Sequence, residues 1–426
     1  MTIAESANEI PEFLRDPDPR EVHYTVISVD DHLIEPPEMF EDRMPKRFAD
    51  QAPRIRNLEA GKPIPRTGSK FGPLIPGENQ QAWEYEGELF VQVGLNAVAG
   101  HTNYQELRNE PSSFAEMRPG CYDIHARIHD MDLNGIWASV NFPSHITGFS
   151  GTVFSRSKDP ELGHATMRAW NDWLFEDWHG AYPERIVPMG ITWLTDPELG
   201  AAEIRRNAER GFTAVTMPER PHRLGYPSLH GGYWDPILRA CEETDTALCL
   251  HVGSSGLVEL GDTDCRYEQN ITFFPGLSMV SGIEWLWSGV PVRFPGLKIV
   301  LAEGGIGWVP MVLDRLEYIA GHALRGGMET WPGVDITPAE VLQRNFYFCV
   351  LDDPSTMPAA HRIGVDHIML ETDYPHSDGT WPDSQALIHQ RFTDLGDVLS
   401  VDDIRKITHQ NAARVFRHPL PEKCLP

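Results

Sequence analysis

The sequence predicts an α/β fold, a (β/α)8 barrel, on three observations. From residue 121 onward, apolar runs of strand length alternate with amphipathic stretches of helix length. Counting the strand at Thr25–Asp30, eight strand–helix units can be traced, with no second apolar core beyond them. Four of the apolar runs finish in His, Asp or Glu. Alternation of this kind gives parallel strands, and an eight-membered ring carries its chemistry at the strand C-termini. A doubly wound sheet is the alternative, but it calls for a glycine-rich phosphate loop after the first strand. This chain has Asp30-Asp31-His32 there.

Residues 1–22, rich in Glu, Asp and Pro, read as an irregular arm, and residues 23–426 as one domain. The first strand is expected over Thr25 to Asp30; Asp30 and His32 are two apart and so point to one side. Residues 36–118 are rich in Pro, Gly and charge, with one strand-like patch from Ala82 to Val91. They are expected to form an insertion after the first strand, with a hairpin, lying as a lid over the barrel mouth. A helix over Ile124 to Leu133, stopped by Gly135, leads to a strand at Trp137–Phe142. Asp159-Pro160 opens a helix through His179, whose aromatic face (Trp170, Trp173, Phe175, Trp178) reads as core rather than a cofactor box. A strand over Ile186 to Ile191 follows, then a helix started by Asp196-Pro197-Glu198 and closed by Gly211. Thr213–Met217 is the fourth strand, Trp234–Glu243 a helix, and Ala247–His251 the fifth strand. After a polar loop (253–275) and a helix at Met279–Trp287, the sixth strand ends on Glu303. A helix over Val309–His322, a strand at Asn345–Val350, a helix from Pro354 to Ile363 and a strand ending at Asp373 complete the set. The tail Val401–Phe416 is amphipathic, with Ile404, Ile407, Ala412 and Val415 on one face.

Composition narrows the function. Hydrophobic residues make up 41% of the 426, enough for a large core, and 62 acidic against 36 basic residues give a formal charge of -26. That balance argues against nucleic acid as a partner and fits a solubilising surface. The six cysteines form no CxxC; Cys249 and Cys349, inside apolar strands, read as packed reduced thiols. The stretch Met1–Asp18 has no apolar h-region, and no run approaches the ~18 apolar residues of a membrane span. A cytoplasmic protein acting on a small molecule, with no membrane partner, is the expectation.

The chemistry concentrates at the strand ends. In Val300-Leu301-Ala302-Glu303-Gly304-Gly305 a carboxylate closes an apolar strand, which is costly unless something pairs with it. With Asp30, His32, His251, Asp373 and His376, it makes a candidate ligand set for one divalent-metal site. Mixed His and carboxylate ligands suit Zn, Mn or Fe, and the lack of Cys disfavours a structural zinc. Each residue also has an ordinary reading. Asp30 or Asp31 could cap the following turn, and only Asp30 has the spacing that matches His32. His376 could be a plain loop residue, and Glu371 could be packed or paired lower in the barrel. His145 and His222 are candidate substrate contacts. Gly304 and Gly305 would let the backbone approach a ligand closely. Trp83, Trp137, Trp308 and Trp381 could line a pocket, though packing explains most of them.

The segments Val26–Pro37, the His251 strand, Glu303-Gly304-Gly305 and Glu371-Thr372-Asp373-Tyr374-Pro375-His376 together resemble the amidohydrolase-2 family, which includes aminocarboxymuconate-semialdehyde decarboxylase. The resemblance spans most of Thr25 to Phe416. It implies a distorted TIM barrel with metal held by the first, fifth and eighth strands, at Asp30, His32, His251 and Asp373, and a homodimer. Two departures stand out. The first motif is Asp30-x-His32, where the family often has HxH or ExH. Glu303 stands where the decarboxylases tend to carry a catalytic His. In this it looks closer to the branch of TIM-barrel non-haem diiron monooxygenases, typified by the enzyme of platensimycin and platencin biosynthesis.

Two readings result. In the favoured one, Asp30, His32, His251, Glu303, Asp373 and His376 hold two irons that hydroxylate a bulky substrate, including CoA-linked ones, with O2. In the other, one Zn or Mn serves a decarboxylase or hydrolase acting on a small aromatic or cyclic acid. There Glu303 handles protons, with His251 and Asp373 also in the catalytic group. A degenerate barrel serving as a binding module is the third and weakest.

Overall fold

The computed structural model describes residues 12–64, 73, 75–77, 79–91, 96–101, 113–256, 269, 272–322 and 335–426. Half of the expected arm (residues 1–11) and most of the loop after the fifth barrel strand lie outside the described residues.

Twelve strands occur among the described residues: β1 (Ile27–His32), β2 (Arg54–Asn57), β3 (Gln81–Tyr85), β4 (Glu88–Val91), β5 (Ala138–Phe142), β6 (Ile186–Val187), β7 (Met189–Ile191), β8 (Ala214–Thr216), β9 (Ala247–His251), β10 (Ile299–Ala302), β11 (Phe346–Val350) and β12 (Ile368–Leu370). Two parallel arcs, β1-β5-β6 and β7-β8-β9-β10-β11-β12, make the barrel wall. They meet at both ends. At one, β6 and β7 are a single path interrupted by Pro188, which has no N–H to give to a ladder. At the other, Asp373 N–H donates to Asp30 O (2.9 Å) and His32 N–H to Tyr374 O (2.6 Å). The eight-membered ring expected from the alternation is thus present, with the third strand split.

Helix starts and stops follow the local chemistry. Asp123, Asp159 and Asp196 cap their helices by accepting from backbone N–H groups of the first turn. Gly135 and Gly211 stop theirs in the left-handed conformation. The helix Pro160–Trp173 passes into a π-helical segment, Leu174–His179, and Trp170, Trp173 and Trp178 are buried, as a core face requires. The helix expected over Pro354–Ile363 is shorter: a 3-10 turn at Met357–Ala359, then Ala360–Ile363. The helix expected from Met279 starts earlier, at Phe274.

Two apolar layers result. The larger lies between ring and helices. The smaller fills the barrel and includes Ile27, Val29, Ala138, Val140, Ala214, Ala247, Cys249, Val300, Ala302, Cys349 and Met369. Ala412, Val415 and Phe416 of the tail join it, and Lys298, just before β10, donates to Val415 O. The tail therefore seals the N-terminal end of the ring, leaving the C-terminal end for the site. The insertion forms an antiparallel sheet, β2-β3-β4, whose hairpin turns at Glu86-Gly87, both with positive φ. Tyr85 Oη lies 2.8 Å from Ser157 Oγ, and Phe40 packs edge-on to Trp83 and Phe154, tying the insertion to the barrel. No helix among the described residues is long and apolar enough to cross a membrane.

Candidate metal centre

The site begins with an irregularity in β1. Ser28 pairs with Ser139 and Asp31 with Asn141, so Val29 and Asp30 together oppose Val140. Such a bulge re-aims the side chains that follow it. Ile27 and Val29 belong to the barrel interior, and strict alternation would have put Asp31 inside. Instead Asp31 accepts from Ser28 Oγ (3.0 Å), Ser139 Oγ (2.5 Å), Thr372 Oγ1 (2.7 Å) and Tyr374 N (3.0 Å), stitching β1 to its neighbours. Asp30 and His32 turn to the centre. Arg127 fixes the strand end by donating to Gly120 O and to His32 O.

His251 continues the inward series Ala247, Cys249 on β9. Its Nδ1 lies 2.6 Å from Val252 O, so that nitrogen carries the proton and Nε2 offers a lone pair. Glu303 and Asp373 lie just beyond β10 and β12, rather than on the strands as the apolar runs suggested. Both sit in the left-handed region, with φ of 57° and 52°, a strained conformation for a residue with a Cβ that is concentrated at functional sites. Phe149, also left-handed (φ 62°), walls the site beside His32 and His251.

These side chains converge. His32 Nε2 is 3.1 Å from His251 Nε2, 3.3 Å from Asp373 Oδ1 and 3.5 Å from Asp30 Oδ1. His251 Nε2 is 3.8 Å from Asp30 Oδ1 and 3.2 Å from Glu303 Oε2. Ligand atoms about 2.1 Å from one cation stand roughly 3.0–3.4 Å apart, so these spacings suit a shared ion. Both oxygens of Asp30 and of Asp373 are buried without a hydrogen-bond donor, a state that costs stability for the charged form unless a cation supplies the missing partner. Burial, and the other carboxylates, push Asp30, Glu303 and Asp373 well above the usual carboxylate range. Burial pulls His32 and His376 well below the usual imidazole range and His251 down to about 4. The donor set fits a divalent ion: acids that need positive charge, and imidazoles that stay neutral.

His376 stacks on His32 (centroids 3.6 Å, 18°), with Nδ1 3.2 Å from Asp373 Oδ1 and Nε2 3.3 Å from Asn96 Nδ2. Asn96, from the insertion, also meets His145 Nε2 at 3.3 Å. His145 is thus at the rim of the site, whereas His222 pairs with Glu284 (3.0 Å) and does not join the cluster. Among the described residues, three overlapping groups of ligand atoms result: Asp30–His32–His251, His32–Asp373–His376 and Glu303–Asp373–Asp378. Asp378, Asn96 and Phe149 were not singled out in the sequence; Asp378 could have been, five residues past Asp373, but the other two carry no local signal.

One expectation changes and two open readings are decided toward packing. Gly304 and Gly305 serve packing: a Cβ on Gly304 would meet Ser278 Oγ at 2.1 Å, and Gly305 (φ +60°) lies against the Asp353 carboxylate. Glu371 faces the barrel interior and accepts from Glu303 N (3.1 Å). Trp83 and Trp308 are core, Trp381 lies under the Arg118 guanidinium and Trp137 bonds Pro419 O, so none of the four is a pocket wall of this site.

A family model described as Amidohydrolase matches residues 152–418. The fold is shared with solved structures. An amidohydrolase from Mycobacterium avium subsp. paratuberculosis K-10 aligns with TM-score 0.67 and 22% identity over 93% of this chain and 100% of that one. A 5-carboxyvanillate decarboxylase from Novosphingobium aromaticivorans, complexed with manganese and 4-hydroxy-3-methoxy-5-nitrobenzoic acid, aligns with TM-score 0.59 and 20% identity over 92% and 96%. A 2,6-dihydroxybenzoate decarboxylase from Rhizobium gives 0.57 and 16% over 92% and 99%.

Proposed function

The chain belongs to the amidohydrolase family, whose model covers well over half of it, and from that premise we propose that it is a divalent-metal-dependent carboxy-lyase for a small aromatic or cyclic carboxylic acid. The observation that carries the metal is the pair of buried, donorless carboxylates of Asp30 and Asp373 facing the imidazoles of His32 and His251. The choice of reaction is supported by the decarboxylases that share the fold, two of which hold aromatic acids or phenols with manganese. This places the single-metal reading ahead of the diiron oxygenase that the Glu303 departure favoured.

Asp30, His32, His251 and Asp373 would hold the ion, which supplies a Lewis-acid anchor for a substrate oxyanion. Val252 O keeps His251 in the tautomer that ligation needs. Glu303 is the carboxylate of the five-residue group with its side chain partly open, 12% against 0–1% for Asp30 and Asp373. It therefore meets the substrate. Without a bound cation, burial and the Asp378 and Glu371 charges raise its carboxyl above the usual carboxylate range; beside the ion, it would act as an acid by passing on a proton taken up with the substrate. As the C–CO2 bond breaks, its electron pair stays on the ring carbon, CO2 leaves and the Glu303 proton moves to that carbon. The described part of the insertion, through Asn96 on His376, would act as a lid that limits water at the mouth.

A second reading rests on the adjoining group Glu303–Asp373–Asp378 beside His376. There Glu303 and His376 would hold a second ion, iron in both places, for O2-dependent hydroxylation of a bulkier substrate. Metal analysis separates the two. One Mn or Zn per chain with CO2 release from hydroxybenzoic acids supports the carboxy-lyase. Two irons per chain after anaerobic loading, with O2 uptake and no CO2, replaces it with the oxygenase.

A further inference from the structure

Among the described residues, neither side-chain oxygen of Asp373 has a hydrogen-bond donor, and the residue sits at φ 52°. Before an ion arrives, nothing bonded to the side chain fixes its direction. The backbone on either side must orient it. On one side Asp373 N donates to Asp30 O (2.9 Å). On the other stands Tyr374, whose bonds lead away from the site.

Tyr374 N donates to Asp31 Oδ1 (3.0 Å), and its carbonyl accepts from His32 N (2.6 Å). Its hydroxyl donates to Asp130 Oδ2 (2.6 Å). Asp130 is 1% exposed, and its other oxygen accepts from Arg118 Nε (2.8 Å). A glycine makes room for the Tyr374–Asp130 bond: a Cβ on Gly120 would lie 2.1 Å from Asp130 Oδ2 and 2.6 Å from Tyr374 Oη. The Arg127 guanidinium, which donates to His32 O, covers the Tyr374 ring at 4.3 Å.

Arg118 ends the insertion and is buried. The N-terminal arm takes up its other two nitrogens: Nη1 donates to Phe13 O (3.3 Å) and Arg15 O (3.2 Å), and Nη2 to Asp16 Oδ1 (2.5 Å). The arm meets the insertion a second time. A Cβ on Gly100 would lie 2.2 Å from Phe13 O, and Phe13 stacks on His101 (centroids 4.3 Å, 5°). From that same segment Val98 N donates to Pro375 O (2.8 Å). Two paths therefore run from the arm to the residues after β12, and both end beside Asp373.

A buried polar network whose bonds are all made is rigid. Groups outside a coordination sphere set metal affinity by orienting the ligands within it. We propose that Arg118 is a positioning residue for the metal centre: through Asp130 and Tyr374 it aims Asp373 at the ion, and docking of the N-terminal arm completes its hydrogen bonds. The inference rests on Asp373 as a ligand, and not on the reaction that the metal serves.

The test is Mn(II) titration of the metal-free full chain, at a temperature where every variant is folded, with thermal melts of the metal-free proteins alongside. Tyr374→Phe removes the hydroxyl alone, and Gly120→Ala wedges the same bond apart. Each should weaken Mn(II) binding about 10-fold. Arg118→Gln should weaken it by a similar factor, and Arg118→Lys, which keeps a charge beside Asp130, should recover part of the affinity. The double variant Arg118→Lys/Tyr374→Phe should bind no more weakly than Tyr374→Phe, because both changes break one chain of contacts. Arg20→Ala, which removes the exposed arm contact to Asp383 (2.7 Å), should bind as the wild type does. A network that only holds the fold together would lower the thermal midpoint and leave Mn(II) affinity at the wild-type value; that result overturns the inference, and so do additive losses in the double variant. If Arg118→Gln does not fold, Tyr374→Phe and Arg118→Lys decide by the same criteria. A wild type that takes up no Mn(II) overturns the metal reading itself, whereas a wild type that binds it no better than Tyr374→Phe overturns this inference alone.

Discussion

The backbone N–H of Glu303 is held by the side chain of Glu371, at 3.1 Å from Oε2. One buried carboxyl, in the barrel interior below the mouth, thus supports the left-handed turn that presents another. The pairing joins β10 to the segment after β12, two strands that are not adjacent in the ring.

Removing the support should loosen the presented group without emptying the metal site. Glu371→Ala leaves Glu303 N–H without its acceptor, a cost of about 1–3 kcal/mol. We expect lower stability in urea melts, wild-type metal content and a loss of turnover of about tenfold or more. Metal loss in this variant would make Glu371 a ligand and contradict the assignment.

Asp30 and Asp31 are adjacent and should behave oppositely. Asp30→Asn removes a donorless buried acid, so metal occupancy should collapse while the metal-free protein keeps or gains stability. Asp31→Asn turns an amide group toward four hydrogen-bond donors and should cost roughly 2 kcal/mol or more with metal retained. Elemental analysis alongside denaturant melts of the two proteins decides the matter.

The metal-free protein should lose stability as pH rises from about 6.5 to about 8. Burial carries Glu371 up to about 8 and raises Asp30, Glu303 and Asp373. Each keeps, when folded, a proton that the unfolded chain releases, so its contribution is present at low pH and lost as pH climbs through the folded value. His251, pulled down to about 4 from 6.5, acts in the opposite sense, but only between those two values. Melts in chelator across the upper window should show the decline, and saturating Mn(II) should flatten it. A metal-free protein equally stable at both ends would contradict the buried-acid account.

Gly304→Ala drives a Cβ to 2.1 Å from Ser278 Oγ and 2.3 Å from Ser278 Cβ. Overpacking of this kind costs about 1–3 kcal/mol, and Ser278→Gly should relieve most of it. A double-mutant cycle on stability measures the coupling; additive losses would place the clash elsewhere.

Much of the scaffold was readable in advance because apolar runs and helix caps are local. Ala247–His251 and Val309–His322 match the observed elements end to end, and Gly135 and Gly211 stop their helices as expected. The Asp30, His32, His251, Glu303, Asp373 and His376 side chains do come together. What could not be read is tertiary. The bulge opposite Val140 chooses between Asp30 and Asp31, and a spacing rule of two points to the right pair only because that bulge exists. Glu303 and Asp373 lie on left-handed turns past their strands, since the carboxylates must bend back over the ring. Asn96 arrives from the insertion, outside its one strand-like patch at Ala82–Val91.

The tail helix Asn411–Phe416 closes the floor of a ring whose first strand is built from residues 27–32. Asp30 and Asp373, which are to share an ion, are separated by nearly the whole polypeptide. An ion held there would tie the first strand of the ring to the segment after its last, and a fragment ending before residue 373 would lack one of the four proposed ligands.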